Sequence, residues 1–132
     1  MEQQHDKTLG LLSIARKAGK LQLGEEAVGA LLMEKRARLT VLASDAGAAT
    51  VRRIRLQAEG TKQRCLILPY DKQALGAALG RQTLAVAAFT DVRLALALVN
   101  TLQPETVDPA LLADLERRVS RVRARRSSTR NR

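Results

Sequence analysis

The sequence predicts an α/β sandwich, a central sheet covered by helices on both faces. Three observations predict it. Helix-like and strand-like segments alternate along the chain with short connections. The runs LTVLA (39–43) and LAVAAF (84–89) lack polar alternation, as strands covered on both faces do. The 132 residues, 45% of them apolar, suffice for a single core.

The elements follow in order. Residues 1–6 are polar and read as a flexible start. Lys7 to Ala18 is predicted helical, with Leu11, Ile14, Ala15 and Ala18 on one face and Gly19 as its stop. Leu21 to Leu23 reads as a short extended piece. Gly24 opens a second helix, with Glu25 and Glu26 in the first turn, where acids suit the dipole, and Ala27, Val28, Leu31 and Leu32 inward. Leu39 to Ala43 is a buried strand. Ala48 to Ala58 is a helix with Val51, Ile54 and Ala58 inward, ended by Gly60. Cys65 to Leu68 is a second buried strand, stopped by Pro69. Asp71 caps a helix through Leu79. Leu84 to Phe89 is a third buried strand, and Thr90 or Asp91 caps a helix to about Leu102.

Charge divides the chain. Lys and Arg total 23 against 13 Asp and Glu, a net +10. Residues 1–104 hold 15 basic and 9 acidic side chains, residues 105–116 four acidic and no basic ones, and residues 117–132 eight Arg and no acid. The break near Pro104 sets the expected boundaries: a domain over 7–103, an amphipathic helix extension over 104–126 and a disordered basic tail over 127–132. Asp108-Pro109 is a helix-start signal. Leu112, Leu115, Val119 and Val122 then form an apolar stripe.

The basic excess favours a polyanionic partner. One Cys (Cys65) and one His (His5) exclude an internal disulfide and a Cys/His zinc site. GxSxG, GxGxxG and a Walker loop are absent, so no enzyme, cofactor or metal is expected. No apolar run approaches the ~20 residues of a membrane span, and no signal sequence stands at the start. A cytoplasmic protein without membrane attachment is expected. Phe89 and Tyr70 are the only aromatics, which argues against recognition of bases by an aromatic platform. Cys65 reads as a small buried apolar residue, and Arg52, Arg53 and Arg55 as a solvated helix face. The terminal arginines, among them Arg117, Arg118, Arg121, Arg123, Arg125 and Arg126, offer planar forks that match phosphate.

Several segments together resemble a known family. These are LGLLSIARKAGKLQLGEEAVGALL (9–32), RARLTVLASDA (36–46), ALGAALG (74–80) and AVAAFTD (85–91). In order and spacing, over about residues 7–102, they are similar to the kink-turn-binding ribosomal proteins, the L-seven-Ae and L-thirty-e group, and within it to the bacterial YlxQ-like branch. The resemblance implies a three-layer α-β-α sandwich with a mixed four-stranded sheet, here carrying a C-terminal helix and basic tail. It implies non-catalytic binding of structured RNA, with rRNA or the ribosome as partner. In the family a glycine-led helix N-terminus enters the RNA at sheared G·A pairs, and a Gly-x-Asn-Glu-x-x-Lys motif reads the guanines. Here the glycine is Gly24. Glu26, Ala27 and Ala30 stand at the Asn, Glu and Lys positions, and Gly24-Glu25-Glu26 looks like the YlxQ-like branch. Ser44-Asp45 and Gly80-Arg81-Gln82-Thr83 match the other RNA-facing loops. The expected surface gathers Gly24, Ser44, Arg81 and Thr83 at one end of the sheet, flanked by Lys17 and Lys20, with the Arg tail clamping neighbouring phosphates. Two alternatives compete. One is a protein-interaction module that docks through the amphipathic helix 109–126. The other is the substrate-binding domain of an RNA-modifying enzyme, severed from its catalytic half.

Overall fold

A computed structural model describes residues 2–130, with side chains over 7–126. The fold is the expected three-layer sandwich. Its helices are α1 (Glu2–Lys17), α2 (Glu25–Met33), α3 (Ala48–Gly60), α4 (Lys72–Ala78), α5 (Val92–Val99) and α6 (Pro109–Arg130). Its strands are β1 (Leu21–Leu23), β2 (Leu39–Leu42), β3 (Cys65–Ile67) and β4 (Val86–Phe89). They form one mixed sheet in the order β1-β4-β2-β3. β4 runs antiparallel to both β1 and β2, and β2 is parallel to β3.

The two central strands are buried throughout, as expected of runs without polar alternation, with Thr40 the one polar residue among them. Their side chains alternate between two cores. Leu42, Val86 and Ala88 meet Val28, Leu31 and Leu32 of α2 and Ile54 and Ala58 of α3. Leu39, Val41, Ala87 and Phe89 join the larger core under α1, α4, α5 and α6.

Several expectations are corrected. Helix α1 begins at Glu2, not Lys7: no Gly or Pro interrupts residues 2–9, and acids suit its N-terminal end. Its buried face is Thr8, Leu12 and Ala15, while Ile14 is 58% exposed and Ala18 lies outside. Thr8 tolerates burial because its hydroxyl shares a 2.7 Å hydrogen bond with that of Thr101. β3 is an edge strand rather than a fully buried one, and Ile67 is 44% exposed. β4 starts at Val86 because the Leu84 N–H donates to Lys72 O instead of to the ladder. Helix α5 stops at Val99, where the Thr101 hydroxyl takes the Leu98 carbonyl.

The C-terminal helix is part of the same core rather than an appendage beyond Pro104. Asp108 accepts from the Ala110 N–H and Pro109 begins the helix. Leu111, Leu115 and Val119 are buried in the cluster that holds Leu98, Val99 and Leu102, with Leu112 and Val122 packed at its margin. The apolar stripe is therefore covered by the chain itself and is not presented to a protein partner. The helix continues through Arg130, past the expected end at Arg126, because Ser127 to Arg130 include no Gly or Pro. Asn131 and Arg132 lie outside the described residues, as does the side chain of His5.

Candidate nucleic-acid interface

Elements of the sandwich meet at one end of the sheet, where β1, β2 and β3 finish and β4 begins. Backbone hydrogen bonds stitch this rim together. The Gly24 N–H donates to Val86 O at 2.9 Å, Ala43 N–H to Ala85 O at 2.8 Å, and Ser44 N–H to Tyr70 O at 2.8 Å. Asp45 Oδ1 accepts from the Lys72 N–H at 2.8 Å, and Lys72 O from the Leu84 N–H at 3.0 Å. Gly24, Ser44, Asp45 and Thr83 are thereby brought to one border, with Ser44 and Thr83 exposed.

Two helix N-termini open onto this rim. Gly24 precedes α2 and Gly47 precedes α3, and neither helix has a side-chain cap. Asp71 and Asp91 cap α4 and α5. An uncapped helix start presents unpaired N–H donors and a partial positive charge, a setting for phosphate. Gly24 sits at φ 95°, a region that penalises any residue with a Cβ. The chain turns there from β1 into α2.

The two first-turn acids of α2 behave differently. Glu25 is drawn sideways onto α3. Arg53 Nε donates to its Oε2 at 2.6 Å, and Arg53 Nη2 and the Thr50 hydroxyl donate to its Oε1. The Arg53 bond holds the Glu25 carboxyl below its usual range, with a smaller contribution from Thr50, although burial opposes ionisation. One negative charge at the rim is thus offset. Glu26 points to solvent. Arg53, read from sequence as a solvated helix face, is the rim residue that reading missed. Its signal was only its place one turn into a helix that follows Gly47.

The loop between α4 and β4 leaves the far end of α4 and returns to the rim. The Arg81 N–H donates to Gly76 O at 2.8 Å. Gly76 is buried, and a Cβ there would lie 2.7 Å from Arg81 O and 2.8 Å from Thr83 Cα. The glycine therefore permits the loop to lie against α4. Arg16, also missed by the sequence reading, donates through Nη1 to Leu79 O just before the loop. Arg81, Gln82 and Thr83 are all exposed.

Other expected residues lie elsewhere. Lys20 is at the opposite end of the sheet, where its carbonyl accepts from the Thr90 N–H, and Lys17 closes α1 just before it. They do not flank Gly24, because β1 carries the chain across the sheet between them. The arginines of α6 are also remote from the rim. Arg117 and Arg118 bind Asp114, which Arg64 also holds, at N–O distances of 2.8–3.2 Å. Asp114 is 7% exposed. Burial opposes its charge, but Arg64 and Arg117, with Arg118, outweigh that and hold its carboxyl below the usual range. Arg121, Arg123, Arg125 and Arg126 are exposed. Among the described residues, the arginines from Arg117 to Arg126 therefore lie toward the opposite end of the sheet from Gly24.

Phe89 and Tyr70 are both buried, so neither offers a ring for stacking on a base. Burial pushes the thiol of half-buried Cys65 up to about 11. Among the described residues no cluster of His, Cys, Asp or Glu could hold a metal ion, and no helix is long and apolar enough to cross a membrane.

The family model described as "Ribosomal protein L7Ae/L30e/S12e/Gadd45 family" matches residues 6–96, more than half of the sequence. The chain belongs to this family. Helix α6 lies beyond the part that the L7Ae family model matches. Among solved structures, a protein of unknown function from Bacillus halodurans C is similar at 27% identity and TM-score 0.66, covering 72% of this chain and 95% of its own. A Giardia lamblia 15.5kD RNA binding protein is similar at 19% identity and TM-score 0.62, covering 76% of this chain and 86% of its own. That second likeness is one of fold. No curated protein matches the chain.

Proposed function

We propose that this L7Ae-family chain is a non-catalytic RNA-binding protein that takes up structured, kink-turn-like RNA at the rim led by Gly24. Association with rRNA or the ribosome, as in the YlxQ-like branch its sequence resembles, is part of the same reading. The observation that carries it is the convergence of two uncapped helix starts, at Gly24 and Gly47, beside the exposed Ser44 and Thr83 loops. Phosphates would settle on the free N–H groups of α2 and α3, and RNA shape would supply selectivity. Arg53 supports the site by occupying Glu25, which leaves Glu26 as the carboxylate placed to accept from guanine amino groups. Ala27 and Ala30 supply no polar group, so base reading rests on fewer contacts than in the full family motif.

The test is a gel shift at fixed salt with two RNA stems, one holding tandem sheared G·A pairs and one with those pairs made Watson–Crick. The wild type should prefer the bent stem. Gly24→Asp places a carboxylate on the α2 N–H groups and should abolish that preference, and Arg81→Glu should weaken it. Equal affinity of wild type and Gly24→Asp for the bent stem would overturn the reading.

A further inference from the structure

The end of the sheet opposite Gly24 carries a second cationic surface. β2 and β3 begin there, β4 ends there, and the second half of α6 lies against it. The Arg38 N–H donates to Phe89 O, and the Arg64 O accepts from Thr40 N–H, which fixes both residues at that end. Arg38, Arg118, Arg121 and Arg125 line one groove with Val92 and Val122. Lys62, Arg64 and Arg118 line an adjoining depression with Glu59, Gln63 and Asp114. Because Arg118 belongs to both, the two form a continuous band.

The acids of this pole are largely engaged within the fold, Glu59, which lines the depression, being the exception. Asp114 is held by Arg64, Arg117 and Arg118. Asp91 caps α5 and faces Arg93 at 3.9 Å, and Glu34 pairs with Arg36. Arg121 and Arg125 are exposed and enter no ion pair among the described residues. Arg118, Arg121 and Arg125 share one face of α6 and span about 10 Å along its axis. The first groove is lined by no aromatic ring and no side-chain amide, and Gln63 of the depression is engaged by Leu32 O and the Ala37 N–H, so the band has little with which to read a base. Planar guanidinium forks along a shallow groove suit phosphodiesters.

We propose that this pole is a second, sequence-independent RNA-backbone site, separate from the Gly24 rim, so that one molecule joins two RNA segments. Gly24 N–H meets Val86 and Arg38 N–H meets Phe89, which places the sites at opposite ends of β4, about 10 Å of strand apart. The second site stands without the rim reading, whereas the joining of two RNA segments rests on it.

The experiment uses the full chain and two labelled RNAs, the G·A-containing stem and a plain 20-base-pair RNA duplex. Wild type should hold both at once, seen as energy transfer between the labels. R38Q/R121Q/R125Q should lose at least tenfold in affinity for the duplex. The salt slope of duplex binding should fall by about 2 to 3, near 0.9 per phosphate contact removed. R121E/R125E, at two exposed positions, should act the same way and guards against misfolding at Arg38. Gly24→Asp should leave duplex binding intact. Loss of duplex capture in the arginine variants upholds the second site even where Gly24→Asp leaves bent-stem preference unchanged, a result that overturns only the rim reading. An unchanged slope in both arginine variants, or loss of duplex binding in Gly24→Asp, would overturn the second site.

Discussion

Replacing Leu115 by alanine asks whether α6 belongs to the folding unit. The side chain is fully buried, flanked on its helix by Leu111 and Val119, in the core that also holds Leu98 and Leu102. Truncating a leucine in such a place removes its transfer energy and leaves a cavity, for a cost of about 3 kcal/mol. The unfolding entropy expected for 132 residues is about 0.28 kcal/mol per degree, so the melting temperature should fall by about 11 °C. An appendage would behave otherwise: the same substitution on a helix detached from the core costs about 0.5 kcal/mol or less, about 2 °C. Calorimetry of the wild type and the Leu115→Ala variant, with Ala113→Ser as an exposed control on the same helix, separates the two cases. A drop below about 2 °C, or a chain cut after residue 104 that melts cooperatively at the wild-type temperature, would refute the placement of α6 in the core.

Three further predictions concern single side chains. Thr40 is fully buried and its hydroxyl has no hydrogen-bond partner among the described residues, so Thr40→Val should stabilise the fold by about 1 kcal/mol, read as a higher urea midpoint; a lower midpoint would mean the hydroxyl is satisfied. Asp114→Asn should cost about 1–2 kcal/mol at pH 7, moderated by the partial exposure of its arginine partners. Its folded carboxyl lies below the ordinary 3.8, so the unfolded chain takes up the proton first on acidification. The difference between wild type and variant should therefore shrink below about pH 4, and a gap constant from pH 7 to pH 3 would contradict the ion cluster. Gly76→Ala forces a Cβ to within 2.7 Å of Arg81 O and should cost about 1–3 kcal/mol while displacing the 81–83 loop; an unchanged melting temperature would show that the loop yields freely.

The fold class was legible because β2 and β4 lack polar alternation and because α4, α5 and α6 carry clear start signals at Asp71, Asp91 and Asp108-Pro109. What stayed hidden depends on distant partners. Thr8 replaces Ile14 on the buried face of α1 because Thr101, 93 residues away, satisfies its hydroxyl. The stripe on α6 was visible, but not the α5 surface that covers it. Nor did the run at Cys65–Leu68 reveal that its strand lies at an edge. The rim was legible at Gly24, Ser44 and Thr83, where a matched motif marks each loop. Lys20 misled because closeness in sequence is separation in space when a strand intervenes. Arg53 was invisible as a rim residue until the fold brought it to Glu25.

Both outer strands, β1 and β3, are only three residues long. A border that short offers few free ladder groups to a neighbouring molecule and discourages sheet-to-sheet growth into fibrils. For a chain of net charge +10, a long nucleic acid would neutralise the repulsion that keeps copies apart and crowd many of them together. Under that crowding the stunted borders, rather than charge, keep each sheet closed to its neighbours.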